Sequence, residues 1–284
     1  MNKLAYKLEQ WAARNRWSQL GWQRSRALVK GFWARVELNY LIALLLIAAG
    51  VWVFLALAGE VVEGDTHAFD EAVLLALRNP HDHADPLGPP WVEEMGRDLT
   101  ALGGTAILAL VTAGVAGYLV LVRRWTMAWL VALAVVGGAL INMALKAGFD
   151  RPRPDLVPHY TVIYNASFPS GHSMLAATIY LTLGALLARL QRSRRMAAYI
   201  MAVAIIVTVL VGLSRVYLGV HWPTDVIAGW AAGAVWAVLC LVFVWWLQQR
   251  WQTRRQRKEL AEIAPESTEQ ERAVERAIAR HADT

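Results

Sequence analysis

The chain has a single cysteine, Cys240, so no intrachain disulfide can form; the thiol sits in an apolar run, where lipid contact or packing is its expected fate. Charge is also scarce. Only 18% of the 284 residues are Asp, Glu, Lys or Arg, against about a quarter in soluble domains. That deficit, with 57% hydrophobic residues gathered into long runs, excludes an ordinary water-soluble fold and indicates an integral membrane protein. Acids are nearly missing from residues 1–39, which hold eight Lys/Arg against Glu9 and Glu37 alone. No internal repeat is visible. No cleavable signal peptide is expected, because the first apolar run begins only near Tyr40, behind that basic segment.

What the chain does contain is six apolar runs, at 40–58, 101–122, 125–145, 173–188, 196–213 and 226–247. Most approach the ~20 residues that cross ~30 Å of hydrocarbon. The expected fold is therefore all-α, a polytopic membrane protein with six transmembrane helices. A basic amphipathic N-terminal helix and a charged C-terminal helix flank it. Trp11, Trp17, Trp22 and Trp33 interleave with the cations of 1–39, the pattern of an interfacial helix on an anionic leaflet rather than of a nucleic-acid module. Between the first two runs, 59–98 carries ten acids. Phe69, Val73, Leu74 and Leu77 there predict a short amphipathic helix ended by Pro80, and Pro86, Pro89 and Pro90 an irregular connection. The tail, 248–284, balances eight Lys/Arg against seven Asp/Glu and reads as a solvated helix. The expected domains are thus 1–39, 40–247 and 248–284.

Charge placement predicts orientation. With the N-terminus cytoplasmic, 22 of the 28 Lys/Arg fall on the inner side. The outer side keeps Arg78, Arg97, Lys146, Arg151, Arg153 and Arg215. Both termini are then cytoplasmic in a multi-pass protein of the cell membrane, the inner membrane of a bacterium. Three of the outer cations belong to segments that look chemical.

These segments are Lys146-x6-Arg153-Pro154, Phe168-Pro169-Ser170-Gly171-His172 and Ser214-Arg215-x5-His221-x3-Asp225. Six spans put all three on the outer face; losing one span between the last two would separate the histidines by a bilayer. A phosphate ester cleaved without a metal needs its oxygens neutralised, an in-line nucleophile and a protonated leaving group. Lys146, Arg153 and Arg215 can supply the charge. Ser170 and Gly171 precede the fourth run, where backbone N–H groups at a helix N-terminus favour an anion, and Gly171 removes a Cβ from the approach. Asp225, four residues beyond His221, can hold one imidazole nitrogen and leave the other as a nucleophile. His172 can then serve as general acid and base. Arg151 is a candidate further phosphate contact. Asn142, inside the third run, is expected to bond a neighbouring helix or the edge of the site. His81, Asp82, His83 and Asp85 crowd together, but in a Pro-flanked outer loop they read as solvated rather than as metal ligands. Tyr160 and Tyr164 are expected at the membrane interface, and His67 and His159 at the surface.

Together the three segments resemble the signature of the type-2 phosphatidic acid phosphatase superfamily, over about residues 100–247 and without a departure. The resemblance implies a six-span helical fold and metal-independent hydrolysis of lipid phosphates, with no cofactor. It implies Lys146, Arg153, Ser170, Gly171 and Arg215 on the phosphate, His221 as nucleophile, His172 as acid/base and Asp225 as orienter of His221. Undecaprenyl diphosphate, phosphatidylglycerol phosphate and phosphatidic acid are the substrates it points to. A phosphotransferase that passes the phosphoryl group to a lipid acceptor would use the same residues. A vanadate-dependent haloperoxidase has a similar site but is typically soluble, and a silent lipid-binding scaffold would have no use for the complete residue set.

Overall fold

The computed structural model describes residues 38–155 and 166–282, with side chains to 254 in the last helix. The basic N-terminal segment through residue 37, and His159, Tyr160 and Tyr164, lie outside the described residues. The first helix, α1, spans Leu38–Glu63. It is followed by α2 (His67–Leu75), a two-stranded antiparallel hairpin of β1 (Arg78–Asn79) and β2 (Asp82–Pro86), α3 (Pro90–Ala101) and α4 (Thr105–Leu121). Then come α5 (Trp125–Gly148), α6 (Gly171–Arg189), α7 (Arg194–Tyr217) and α8 (Pro223–Ala282). Five of these helices are long and apolar enough to cross a membrane, and α3 with α4 form a sixth candidate bent by 47°. Large apolar side chains such as Leu110, Leu121, Trp129 and Met143 point outward, the arrangement hydrocarbon solvent favours.

Three boundaries differ from those the sequence predicts. The helix in the acidic segment stops at Leu75, before Pro80, because the chain reverses into the hairpin. The proline-rich connection is not irregular throughout: Pro90 occupies the first turn of α3, where its missing N–H costs nothing. The second apolar run begins its membrane helix at Thr105 rather than 101, since Leu102, Gly103 and Gly104 close the end of α3 in tight turns.

The centre of the bundle is α6, packed on α5, α7 and α8. Gly229 and Gly233 bring α8 against the first turns of α6. A Cβ at Gly229 would lie 2.7 Å from the Ser170 carbonyl oxygen, and one at Gly233 would lie 2.3 Å from that of Met174. This is the close backbone approach that small residues four apart permit between membrane helices. Cys240 is packed rather than lipid-facing, in a cluster with Leu130, Ala134 and Val244.

The segment after α1 folds back over one end of the bundle. Leu74 of α2 packs with Val216, Trp222 and Val226. Arg78 is buried and donates from Nη2 to the Tyr217 carbonyl oxygen at 2.7 Å, where the end of α7 leaves its acceptors open. The Tyr217 hydroxyl donates to the Leu87 carbonyl at 2.9 Å. The hairpin and α2 are thereby fastened to the α7–α8 junction.

Candidate active site

Antiparallel packing brings the last turns of α5 and α7 to the same end of the bundle as the first turns of α6 and α8. Lys146 lies in the last turn of α5 and Arg215 in that of α7. Ser170 is the N-cap of α6 and Pro223 begins α8. The three sequence segments therefore meet at one end of the bundle, with Lys146, Ser170, Gly171, His172, Arg215 and Asp225 at helix ends and Arg153 and His221 in the adjoining connections.

His221 is buried between α7 and α8. Its Nδ1 lies 3.3 Å from Oδ2 of Asp225, and its Nε2 is 3.2 Å from Nη1 of Arg153. Arg153 donates to Nε2, so that nitrogen carries the lone pair. Nδ1 then bears the proton and donates it to the carboxylate. Two neighbours on opposite sides of the ring thus select one tautomer. Burial pushes the His221 imidazole down to about 4; Asp225 opposes that shift, and the Arg153 and Arg215 charges reinforce it. Burial likewise lowers Arg153 against the pull of Asp225, yet a guanidinium stays protonated. Arg153 is further held by donation to the Val220 carbonyl at 2.7 Å.

The other expected anion ligands lie at the same end of the bundle. Lys146 Nζ donates to the Ala166 carbonyl at 2.8 Å, and Arg215 Nη1 to Thr100 Oγ1 at 2.9 Å. The Arg215 Nε is buried with no partner among the described atoms. His172, in the first turn of α6, lies within electrostatic range of Arg215, His221, Lys146 and Arg153. Its Cβ packs beside the α3–α4 break, 3.4 Å from where a Cβ on Gly103 would stand. Ser170 uses its hydroxyl to cap α6, accepting from the Ser173 hydroxyl at 3.0 Å and the Ser173 N–H at 3.5 Å. Its own N–H donates to the Asp225 carbonyl at 2.9 Å, tying the α6 N-terminus to α8. A Cβ on Gly171 would meet Asn142 Oδ1 at 3.1 Å, so this glycine also admits α5; Asn142 itself is buried and contacts Met174 through its amide at 3.5 Å.

One expected contact is reassigned. Arg151 is not turned toward the phosphate ligands. It bridges two buried carboxylates, with Nη1 2.6 Å from Asp225 Oδ1 and Nη2 2.6 Å from Asp70 Oδ2. The guanidinium also lies 5.7 Å over the Trp222 ring, which His67, exposed at the surface as expected, contacts edge-on. Sequence reasoning missed Asp70, Thr66, Thr100, Ser167 and Thr224. Ser167 donates to Asp225 Oδ2, which also accepts from the Trp222 N–H at 3.0 Å. Nothing in the ten acids of 59–98 distinguishes Asp70, and the one available signal for Arg151 is its alternation with Arg153 around Pro152. His81, Asp82, His83 and Asp85 lie on the exposed hairpin, where Asp82 and Asp85 accept from Ala84 N–H and the Asn79 amide.

Fold and site together define a polytopic helical membrane protein that gathers two histidines and the cations Lys146, Arg153 and Arg215 at one end of its bundle. The PAP2 superfamily pattern matches residues 125–249. The chain is 36% identical over 188 residues to the phosphatidylglycerophosphatase B of Bacillus subtilis, covering 63% of this chain and 85% of that protein. It is 46% identical over 68 residues to an undecaprenyl-diphosphatase of Sulfolobus acidocaldarius, covering 24% and 29% of the two chains. The crystal structure of a transmembrane PAP2-type phosphatidylglycerolphosphate phosphatase from Bacillus subtilis superposes with a TM-score of 0.63 at 30% identity, over 69% of this chain and 94% of that one. The chain belongs to the PAP2 superfamily. It is a phosphoric-ester hydrolase embedded in a membrane.

Proposed function

We propose that this phosphatase removes phosphate from a lipid phosphate or diphosphate at the outer leaflet, through a phosphohistidine on His221. The observation that carries the reading is the imidazole held by Asp225 on Nδ1 with its Nε2 lone pair facing the Arg153 guanidinium. A phosphoryl group bound to Lys146, Arg153, Arg215 and the N–H groups at the start of α6 would present phosphorus to that lone pair. The Nε2–P bond forms as the ester P–O bond breaks, and the leaving oxygen takes a proton from His172. His172 then accepts a proton from water, whose oxygen bonds to phosphorus while the P–N bond breaks and His221 is restored. Asp225 stabilises the positive charge of the intermediate throughout.

The site lies beside apolar helices, so a substrate can keep its tails in lipid while its headgroup reaches the cations. Phosphatidylglycerol phosphate is the first candidate, from the extent of the match to a phosphatase of that name; undecaprenyl diphosphate is the second. The outer-face orientation rests on the Lys/Arg asymmetry, which leaves both termini cytoplasmic. The test is phosphate release from these two lipids and phosphatidic acid, with a strong chelator and no lipid acceptor. Chelator-resistant release is expected. Loss of activity on chelation would overturn the metal-free mechanism, and release that requires an acceptor would make the enzyme a phosphotransferase.

The pH profile is a second check. Attack requires the neutral imidazole, and burial holds His221 down to about 4, so kcat/KM is expected to fall off on the acid side near that value. An acid limb near pH 6.5 with an aryl phosphate already fully ionised there would show that His221 titrates as an ordinary imidazole, at about 6.5, and not as a buried one.

A further inference from the structure

Asp225 has two carboxylate oxygens with different duties. Oδ2 faces His221 Nδ1, the Trp222 N–H and the Ser167 hydroxyl. Oδ1 is taken by Arg151 Nη1 at 2.6 Å. The other arm of Arg151 is gripped by Asp70 Oδ2 at 2.6 Å and Thr66 Oγ1 at 3.0 Å. Asp70 in turn caps the start of α8: its Oδ1 accepts the Thr224 N–H at 3.0 Å and its Oδ2 accepts the Thr224 hydroxyl at 2.6 Å. Asp70 and Asp225 are fully buried and the Arg151 side chain nearly so. The carboxylate–guanidinium–carboxylate line therefore runs from α2, outside the three signature segments, to the residue that holds His221.

Such a line has more geometry than a stabilising ion pair needs. A planar guanidinium shared between two carboxylates fixes the rotation of each. With Oδ1 pinned, Asp225 can turn neither Oδ2 away from His221 nor its own charge toward the cations that must bind phosphate. Arg151 also offsets the second buried carboxylate, which unpaired would repel Asp225.

Resting on the reading of His221 as nucleophile, we infer that Arg151 and Asp70 are positioning residues for the reaction, locking Asp225 so that His221 Nε2 stays aimed at the phosphate. They touch Asp225 and α8, and no substrate. The segment between the first two spans thereby takes part in the chemistry as well as in covering it.

The test uses full-length protein in vesicles containing phosphatidylglycerol phosphate. Arg151→Gln is expected to lower kcat ~10- to 100-fold, the usual cost of losing a partner that orients a catalytic histidine's neighbour. KM and inhibition by inorganic phosphate should stay within about twofold of wild type, because the anion ligands are untouched. Arg151→Lys should recover part of kcat, and Asp70→Asn combined with Arg151→Gln should be no slower than Arg151→Gln alone, since the pair acts as one unit. If Arg151→Gln is not recovered folded, Arg151→Lys and Asp70→Asn carry the same kcat-against-KM measurement. A raised KM and weaker phosphate inhibition at unchanged kcat would make Arg151 a phosphate ligand and overturn the inference. So would a lowered melting temperature with both constants unchanged, which would leave only a strut. His221→Ala separates the two readings: an active His221→Ala enzyme removes the nucleophile, whereas an inactive one beside a fully active Arg151→Gln enzyme removes this inference alone.

Discussion

His221→Ala is expected to lower kcat by about 10⁴-fold or more while lipid binding persists, as removing the nucleophile of an interdependent catalytic unit does elsewhere. The position has little scope for substitution. His221 is buried, and its two nitrogens are engaged from opposite sides by Asp225 and Arg153. Rapid mixing with 32P-labelled lipid followed by alkaline quench should trap an alkali-stable, acid-labile phosphoenzyme in the wild type and none in the variant. Equal label in both would place the phosphoryl group on another residue and end the proposed pathway.

His172→Gln should be nearly as damaging with natural lipids, by ~10²- to 10⁴-fold, because an alkoxide or phosphate leaving group must be protonated as it departs. The loss is expected to depend on the leaving group. A nitrophenyl phosphate needs little help to leave, so the variant should release nitrophenolate in one rapid burst equal to the enzyme present. Slow turnover should follow, because the same side chain is missing when water must be activated. Uniform loss with both substrate types and no burst would show that His172 shapes the site rather than moving protons. Its place in the first turn of α6, among Lys146, Arg153, Arg215 and His221, is what an acid beside a dianion requires.

Much of this site could be read from the chain because its residue types are costly in a membrane. Lys146, Arg153 and Arg215 stand against the charge asymmetry that governs every other Lys/Arg-rich segment, and an apolar sequence keeps such residues only for a compensating reason. The helix start at Gly171 was legible from Ser170 and Gly171 standing just ahead of the fourth apolar run. Asp70 was not. Ten acids in a polar connecting segment look alike until a fold buries one of them, and burial there depends on Arg151 arriving from 81 residues away. Arg151 stayed an open candidate because spacing alone cannot say which way it turns; the Trp222 ring and the two carboxylates decide it. The bend at Gly103 escaped notice because α3 and α4 reach span length only together.

The contact of Gly229 and Gly233 with the first turns of α6 also sets a division of labour across the molecule. Those two helices meet backbone to backbone, and the Ser170 N–H bonds directly to the Asp225 carbonyl. The gap between the first turn of α6 and the start of α8, where His221 sits, is therefore held by main chain, which no rotamer change can widen. A change of lipid, one headgroup for another or a diphosphate for a monophosphate, cannot be accommodated by stretching that gap. Adaptation must fall on what borders it, such as the α3–α4 elbow against which His172 and Arg215 lie.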